Sequence, residues 1–426
     1  MSIKEQCRQA RDEMRHHLLN ELLPFWKTRG VDREYGGYLT YFDKDGNPTG
    51  EDVKTLICQL RMIFTYSSIY RANLDPDGAF LEMAAQGVDF VLKHFWDEKF
   101  GGWHWTTQRD GTPIDKSKIM YGQSFGVYSM SEYAMASGDP RGMEMALKSY
   151  EAIKVKAADV EWGGFGEFFE EDWRPKRPGA YGGDRKGYDV HMHLMEAFTN
   201  LYEATGDHTH KRETQRIINL LFNRIIHPEH GTGIAQFAFD WTPLRAILFR
   251  NVWGADRDVE DDEGRPLDNT SFGHNVECAW LLKHAIDILG LDLAEYRGKM
   301  AKLFDHCVQW GIDWEKGGVF CEGPNHGPAR ERNKEFWQQA ECLIGFADAY
   351  LIFGEEKYWK AYYNLHRFVM DVMINHPVGE WWPLFDENNT LLWTHMAHAW
   401  KINYHTVRSA IQTERRLNKI LSVLDA

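Results

Sequence analysis

Apolar residues along the chain fall at helical spacing between short, glycine-punctuated stretches. Val53, Leu56, Ile57, Leu60, Ile63, Phe64 and Ser67 lie on one stripe, and so do Val190, His193, Leu194, Ala197 and Leu201. Recurrence at i, i+3, i+4 and i+7 marks a helix that buries one face. Each such segment stops at a glycine or acidic signal: Asn73-Leu74-Asp75, Ser137-Gly138-Asp139, Thr205-Gly206-Asp207, Leu289-Gly290-Leu291-Asp292 and Phe353-Gly354-Glu355. Glycine ends a helix by taking the left-handed conformation, and an acidic residue opens the next one at its positive end. A second helix is predicted after each stop, for example over 79–96, 140–156 and 209–225.

Glycine turns separate these helix pairs. They stand at Gly36-Gly37-Tyr38, Gly101-Gly102-Trp103, Gly163-Gly164-Phe165, Gly231-Thr232-Gly233, Gly317-Gly318-Val319 and Gly379-Glu380-Trp381. A second turn follows several of them, as at Arg109-Asp110-Gly111 and Asp386-Glu387-Asn388. A glycine pair, a few alternating apolar residues and an Asp/Gly turn describe a short β-hairpin. The unit is helix, tight turn, helix, hairpin, and the chain repeats it. An open solenoid also stacks helix pairs, but its repeats are shorter, more uniform and free of intervening hairpins. The pattern therefore predicts an all-α closed (α/α)6 barrel, six inner helices ringed by six outer ones, as one domain over residues 1–426. In a closed ring the loops entering the inner helices gather at one mouth, so residues at those helix starts converge on a central pocket.

Composition narrows the partners. Apolar residues at 43% and charged residues at 26% support a sizeable core and exclude a disordered chain. A formal charge of −14 argues against nucleic acid and against anionic membrane surfaces. No apolar run is long enough to span a bilayer. The N-terminal segment MSIKEQCRQARDEMRHH lacks the apolar middle of a signal peptide. The six cysteines form no C-x-x-C pair, which reads as reduced thiols. The expectation is a cytoplasmic monomer or homodimer with no nucleic-acid or membrane partner. The 17 Trp, 18 Tyr, 24 Phe and 19 His stand out, because rings with polar edges suit the faces of sugars.

Histidines mark three of the predicted inner-helix starts. Asp189, Ser271 and Asn403 are the expected N-caps of segments carrying His191 and His193, His274, and His405. A histidine in the first helical turn is held neutral by the positive helix end, and a neutral imidazole can act as a general base. His193/Glu196 and His274/Glu277 add carboxylates on the same helix faces. His191 and His193 diverge around a helix, so they do not share an ion, and no nucleotide-binding or nucleophile-elbow motif is present. Neither metal nor cofactor is expected. Carboxylate pairs drawn from Asp184, Asp189, Glu196 and Glu277 leave glycoside hydrolysis open. The histidines favour proton transfer at the carbon beside a sugar aldehyde.

Several motifs resemble the N-acylglucosamine 2-epimerase superfamily, most closely its cellobiose 2-epimerase branch. They are Met192-His193-Leu194-Met195-Glu196-Ala197, Ser271-Phe272-Gly273-His274-Asn275-Val276-Glu277, Trp337-Gln338-Gln339-Ala340-Glu341, Tyr121-Gly122-Gln123-Ser124-Phe125 and Trp400-Lys401-x-x-Tyr404-His405. The resemblance implies an (α/α)6 barrel and a cofactor-free epimerase or isomerase of unmodified sugars working through an enediolate. It implies His274 and His405 as the acid/base pair and His193 as a supporting histidine. Arg61, on an apolar stripe, would hold the sugar oxygens near C1 and C2. Tyr121, Glu196, Glu277, Trp337, Gln339 and Trp400 would line the site. Asn403 and Thr406 replace the branch's usual proline and asparagine, the tandem tryptophan is reduced to Phe336-Trp337, and the loop Arg174–Tyr188 is shorter. These departures fall where a second sugar unit would sit. They favour a neutral monosaccharide, the mannose–glucose pair, over cellobiose or mannobiose. An aldose–ketose isomerase and a non-catalytic sugar-binding protein remain as alternatives.

Overall fold

The computed structural model describes residues 1–178, 183–245 and 266–425. Among the described residues, twelve helices form the architecture: α1 (Ile3–His17, continued through a π-helical turn to Arg29), α2 (Leu56–Arg71), α3 (Ala79–His94), α4 (Met120–Ser137), α5 (Pro140–Lys156), α6 (Tyr188–Thr205), α7 (His208–Leu220), α8 (Phe272–Leu289), α9 (Leu293–His306), α10 (Phe336–Phe353), α11 (Glu356–Phe368) and α12 (Asn403–Asp425). The even-numbered helices pack in sequence around an axis, and α12 closes the ring against α2. Each odd-numbered helix lies outside an even one, with α1 covering α12. This is the expected (α/α)6 barrel.

The inner helices are buried nearly all round, because each touches two neighbours, an outer helix and the axis. A single apolar stripe was therefore too narrow a reading. Val53 in particular belongs to the strand Val53–Thr55 that precedes α2. The predicted stops hold. Gly138, Gly206, Gly290 and Gly354 have φ between 64° and 70°. Asp139, Asp207 and Asp292 then cap the outer helices through the backbone N–H groups of Arg141, Thr209 and Ala294.

The glycine turns are one motif used repeatedly. Isolated bridges join Val31 to Tyr38, Trp96 to Trp103, Ala158 to Phe165, Ile226 to Gly233 and Ile312 to Val319. One carboxylate oxygen of Asp32, Asp97, Asp159 and Asp313 accepts backbone N–H groups inside its own turn. The other oxygen receives a lysine standing two residues before an inner helix: Lys54 at 3.0 Å, Lys118 at 2.7 Å, Lys186 at 2.6 Å and Lys334 at 2.8 Å. Lys401 pairs with Glu380 at 3.1 Å, on the oxygen that also accepts Trp381 N. All five ammonium groups are buried. In the remaining unit Thr270 stands in the lysine's place and donates to Gly233 O at 2.8 Å.

A second repeated clamp uses the fourth residue of five of the six inner helices. The amide of Gln59 bonds both backbone groups of Tyr38, Gln123 those of Trp103, and Gln339 those of Val319. His191 Nε2 accepts from Phe165 N at 3.1 Å, and Asn275 accepts from Gly233 N at 2.9 Å. These clamps and ion pairs fix every helix start against the loop before it.

Candidate active site

The sixth residues of the inner helices are Arg61, Phe125, His193, Glu277, Glu341 and Arg408, all buried around the axis. His274 and His405 occupy the third positions of α8 and α12. Tyr121, Trp337 and Tyr404 occupy the second positions of α4, α10 and α12. Equivalent positions in a closed repeat point to one place, so the functional groups converge through fold symmetry.

Arg408 holds three carboxylates together. It bonds Glu196 and the Tyr404 hydroxyl through one nitrogen, and Glu341 at 2.7 Å and Glu277 at 3.2 Å through the other. Glu341 Oε1 meets His405 Nδ1 at 2.6 Å, and its Oε2 accepts from Trp280 Nε1 at 3.0 Å. Burial pushes Glu341 up, but Arg408 and His405 outweigh it and keep the carboxyl below its usual range. An ionised Glu341 only accepts, so His405 carries its proton on Nδ1 and Nε2 is the basic nitrogen. Burial, opposed by Glu341, brings His405 down to about 3, so it is neutral at physiological pH. Burial, reinforced by Glu341, raises Glu277 well above the carboxylate range. Glu277, expected beside His274 one turn back, is thus bonded to Arg408.

His193 has both nitrogens engaged. Nδ1 lies 2.9 Å from Glu196 Oε2, and Nε2 lies 3.0 Å from the Tyr121 hydroxyl. Burial opposes ionisation of Glu196, yet Arg408 and His193 hold it at about 2. Arg61 donates to Tyr121 at 2.8 Å and to Trp400 O at 3.0 Å, and lies over the rings of Phe125 and Tyr404 at 4.9 Å each. Its buried Nε has no partner among the described residues. Trp337 packs against both candidate bases, with ring centroids 4.5 Å from His274 and 6.0 Å from His405. Trp400 packs edge-on to Tyr121 at 5.5 Å.

Three sequence expectations change. Gln339 commits both amide hydrogens to backbone oxygens of Val319 and Glu335, so it supports a loop instead of offering a donor to the pocket. Asp189 is not the α6 cap; Gly187 is, and Asp189 sits within the first turn. Asn403 is the first residue of α12, and its amide bonds nothing among the described residues. Ser271 does cap α8, through His274 N. Part of the loop Arg174–Tyr188, residues 179–182, lies outside the described residues. The sequence reading overlooked Arg408, Tyr404 and the joining role of Glu341. For Arg408 and Glu341 the signal was the shared sixth position of the inner helices; Tyr404 shares the second position with Tyr121 and Trp337.

Glu277, Glu341 and His405 bring ligand-type atoms within 4.8 Å of one another. They suit a metal ion poorly. The Arg408 guanidinium already supplies the positive charge there, and Glu341 is already bonded to both Arg408 and His405 Nδ1.

The chain resembles known proteins over most of its length. The family model for N-acylglucosamine 2-epimerase matches residues 37–409. A cellobiose 2-epimerase of Dictyoglomus turgidum is 28% identical over 96% of this chain and 98% of its own. A D-mannose isomerase of Marinomonas mediterranea is 24% identical over 94% and 96%. The solved cellobiose 2-epimerase of Spirochaeta thermophila superposes with a TM-score of 0.85 at 26% identity, covering 99% of this chain and all of that one. With a matching family model across most of its length and an α/α barrel whose inner-helix starts converge on one pocket, this chain belongs to the N-acylglucosamine 2-epimerase family.

Proposed function

We propose that the protein is a cofactor-independent sugar 2-epimerase that inverts C2 of an unmodified aldose through an enediolate. The observation that carries this reading is His405, buried, neutral and tautomerically fixed by Glu341, with Trp337 packed against both it and His274. In the open-chain sugar, one histidine takes the proton from C2. The C2–H electron pair forms the C1–C2 double bond, and the carbonyl electrons move onto O1. The other histidine returns a proton to the opposite face of C2 while O1 collapses back to the aldehyde. No electrons are lost or gained, and each cycle exchanges the protonation states of the two imidazoles.

Developing charge on O1 needs a fixed donor. Arg61 supplies it. Its Nε, buried without a partner among the described residues, costs about 1–3 kcal/mol when unbonded, and a substrate oxygen there recovers it. His193 is a positioning residue, since Glu196 and Tyr121 occupy both its nitrogens.

The favoured substrate is the mannose–glucose pair, on the departures at Asn403, Thr406 and Phe336. The relatives named cellobiose 2-epimerase support a second reading, in which the reducing-end sugar of a disaccharide reacts. Specificity constants for mannose, glucose, cellobiose, mannobiose and N-acetylglucosamine, measured side by side, separate the two. A disaccharide preferred about tenfold over mannose overturns the monosaccharide assignment. Reaction in D2O places deuterium at C2, and inversion without solvent label rules out the proton-transfer mechanism. A ketose as main product makes the protein an aldose–ketose isomerase.

A further inference from the structure

One carboxyl pair beside the inner-helix starts takes no part in the network around Arg408. The second residues of α4, α10 and α12 are Tyr121, Trp337 and Tyr404, which line the site, and the second residue of α6 is Asp189. It stands one helical turn before His193, on the same face. Asp189 is partly exposed, and its Oδ1 accepts from Val190 N at 2.9 Å. Glu167 immediately precedes the strand Phe168–Phe169, and its backbone oxygen accepts from Met120 N at 2.9 Å. It is therefore tied to the start of α4 while its side chain reaches the start of α6. Glu167 is buried, and its Oε2 bonds nothing among the described residues.

Gly187 shows how tightly the two carboxyls are packed. It caps α6 in extended backbone, φ −108° and ψ 150°, which any residue adopts. A β-carbon there would stand 2.7 Å from Asp189 Oδ1 and 3.1 Å from Glu167 Oε2. Space, and not torsion, reserves the position for glycine. No cation pairs with either carboxyl among the described residues. Arg185, on the strand Arg185–Gly187, is close enough for its charge to reach Glu167, but it donates Nη1 to Gln236 Oε1 and Arg245 O at 3.0 Å each. The other titratable neighbours are His193 on α6 and Tyr121 on α4, already bonded to one another. Two carboxyls this close, without a cation, keep one proton between them at neutral pH. Glu167 holds it, because an ionised carboxylate needs donors: its buried oxygen has none, whereas Asp189 has Val190 N. Burial, reinforced by Asp189, accordingly raises Glu167 well above the carboxylate range. Burial also raises Asp189, opposed by Val190 N and His193.

We infer that Glu167 and Asp189 act as one unit in substrate recognition: Asp189 accepts a hydrogen bond from a sugar hydroxyl, and Glu167 is the positioning residue that holds it there. The inference deepens the proposed activity and rests on it only for the identity of the ligand. A hydroxyl donor suits an ionised Asp189, whereas a phosphate or carboxylate on the substrate at that point is repelled. When Glu167 gives up its proton, the two negative charges push apart and the acceptor is displaced. Affinity for sugar therefore falls as pH rises through the titration of Glu167, without a matching change in the chemical step at C2.

The test follows kcat and KM from neutral to alkaline pH with the fastest of mannose, glucose, cellobiose, mannobiose and N-acetylglucosamine. Infrared spectra of the free protein read the protonated carboxyl independently of turnover. Asp189→Ala should raise KM about tenfold or more with kcat within about threefold of the parent. Glu167→Ala should raise KM in the same way, and Glu167→Gln, which mimics the protonated acid, should restore most of the loss. KM of the parent should climb at alkaline pH, and that of Glu167→Gln should stay flat. At neutral pH the parent should show a protonated-carboxyl C=O band that Glu167→Gln weakens. All variants are checked for native circular dichroism. A KM for Asp189→Ala within about twofold of the parent, a Glu167→Gln as impaired as Glu167→Ala, or a carboxyl band untouched by Glu167→Gln each overturns the inference. If none of the five sugars is turned over, the activity reading fails on its own. Calorimetric affinity for mannose in the parent and in Asp189→Ala, with the infrared band, then decides the carboxyl pair.

Discussion

Replacing Glu341 by glutamine tests the core of the site with a change of one charge and almost no volume. The carboxylate accepts the His405 Nδ1 proton at 2.6 Å and an Arg408 proton at 2.7 Å. A charge-assisted hydrogen bond of this kind contributes about 1.5–3 kcal/mol. At 1.4 kcal/mol per tenfold, losing the ionic part at the moment His405 becomes an imidazolium lowers kcat by roughly 10- to 150-fold. KM should change little, because the imidazolium exists only after the proton has moved. The amide can also turn its NH2 toward Nδ1, which would force the proton onto Nε2 and leave no base. The fold should survive. Glu277 already bonds Arg408, and losing the neighbouring charge that raises it favours its ionised form there. The assays are kcat and KM with the sugar turned over fastest, and 15N NMR of the His405 ring. If kcat stays within about twofold of the parent while the tautomer is unchanged, Glu341 does not assist His405 and the reasoning is refuted.

Removing either base should be more severe: His274→Ala and His405→Ala each lower turnover by roughly 10²- to 10⁴-fold with native circular dichroism, and near-normal turnover in either would reject the pair. Exhaustive chelation should leave the rate unchanged; a loss restored by a divalent ion would show a metal role at Glu277, Glu341 and His405. Lys118→Met orphans the buried Asp97 carboxylate and should cost about 3–5 kcal/mol in urea unfolding, whereas Lys148→Met, at an exposed pair, should be silent. The His191→Gln exchange installs the residue found at the same place in three other units. Burial lowers His191 to about 4, so the unfolded chain takes the proton first and stability falls as pH drops from about 6.5 toward 4. Between pH 7 and 5 the parent should therefore lose about 2 kcal/mol more than the variant, and equal losses would contradict the assignment.

The barrel was legible because its punctuation is chemically forced. A glycine at φ near 70° followed by an aspartate cap has few substitutes, so the helix stops could be read directly from the chain. The convergent histidines were legible for the same reason, once the repeat placed His274 and His405 at equivalent helix positions. The lysine–aspartate pairs were not. Lys118 and Asp97 are 21 residues apart, and nothing local distinguishes a buried ammonium from a solvated one. Gln339 misled because an amide beside a glutamate and a tryptophan suits a sugar site. Only its equivalence with Gln59 and Gln123 exposes the loop clamp. Arg408 lay outside the histidine pattern, and its importance comes from three carboxylates on three different helices.

Closure of the ring means that the covalent order of the units is arbitrary. The first helix covers the last, Lys4 meets Asp425 in an ion pair, and Thr55 Oγ1 reaches across the seam to Ala399 O at 3.2 Å. The termini are therefore neighbours, and the seam is bonded like any other junction. A circular permutant joined there by a short linker and opened at the solvent-exposed Gly138–Asp139 turn would keep every lysine pair, every clamp and the whole axial network. Deleting one unit would not be tolerated in the same way. It would leave a lysine without its carboxylate on one side and a gap in the helix ring on the other.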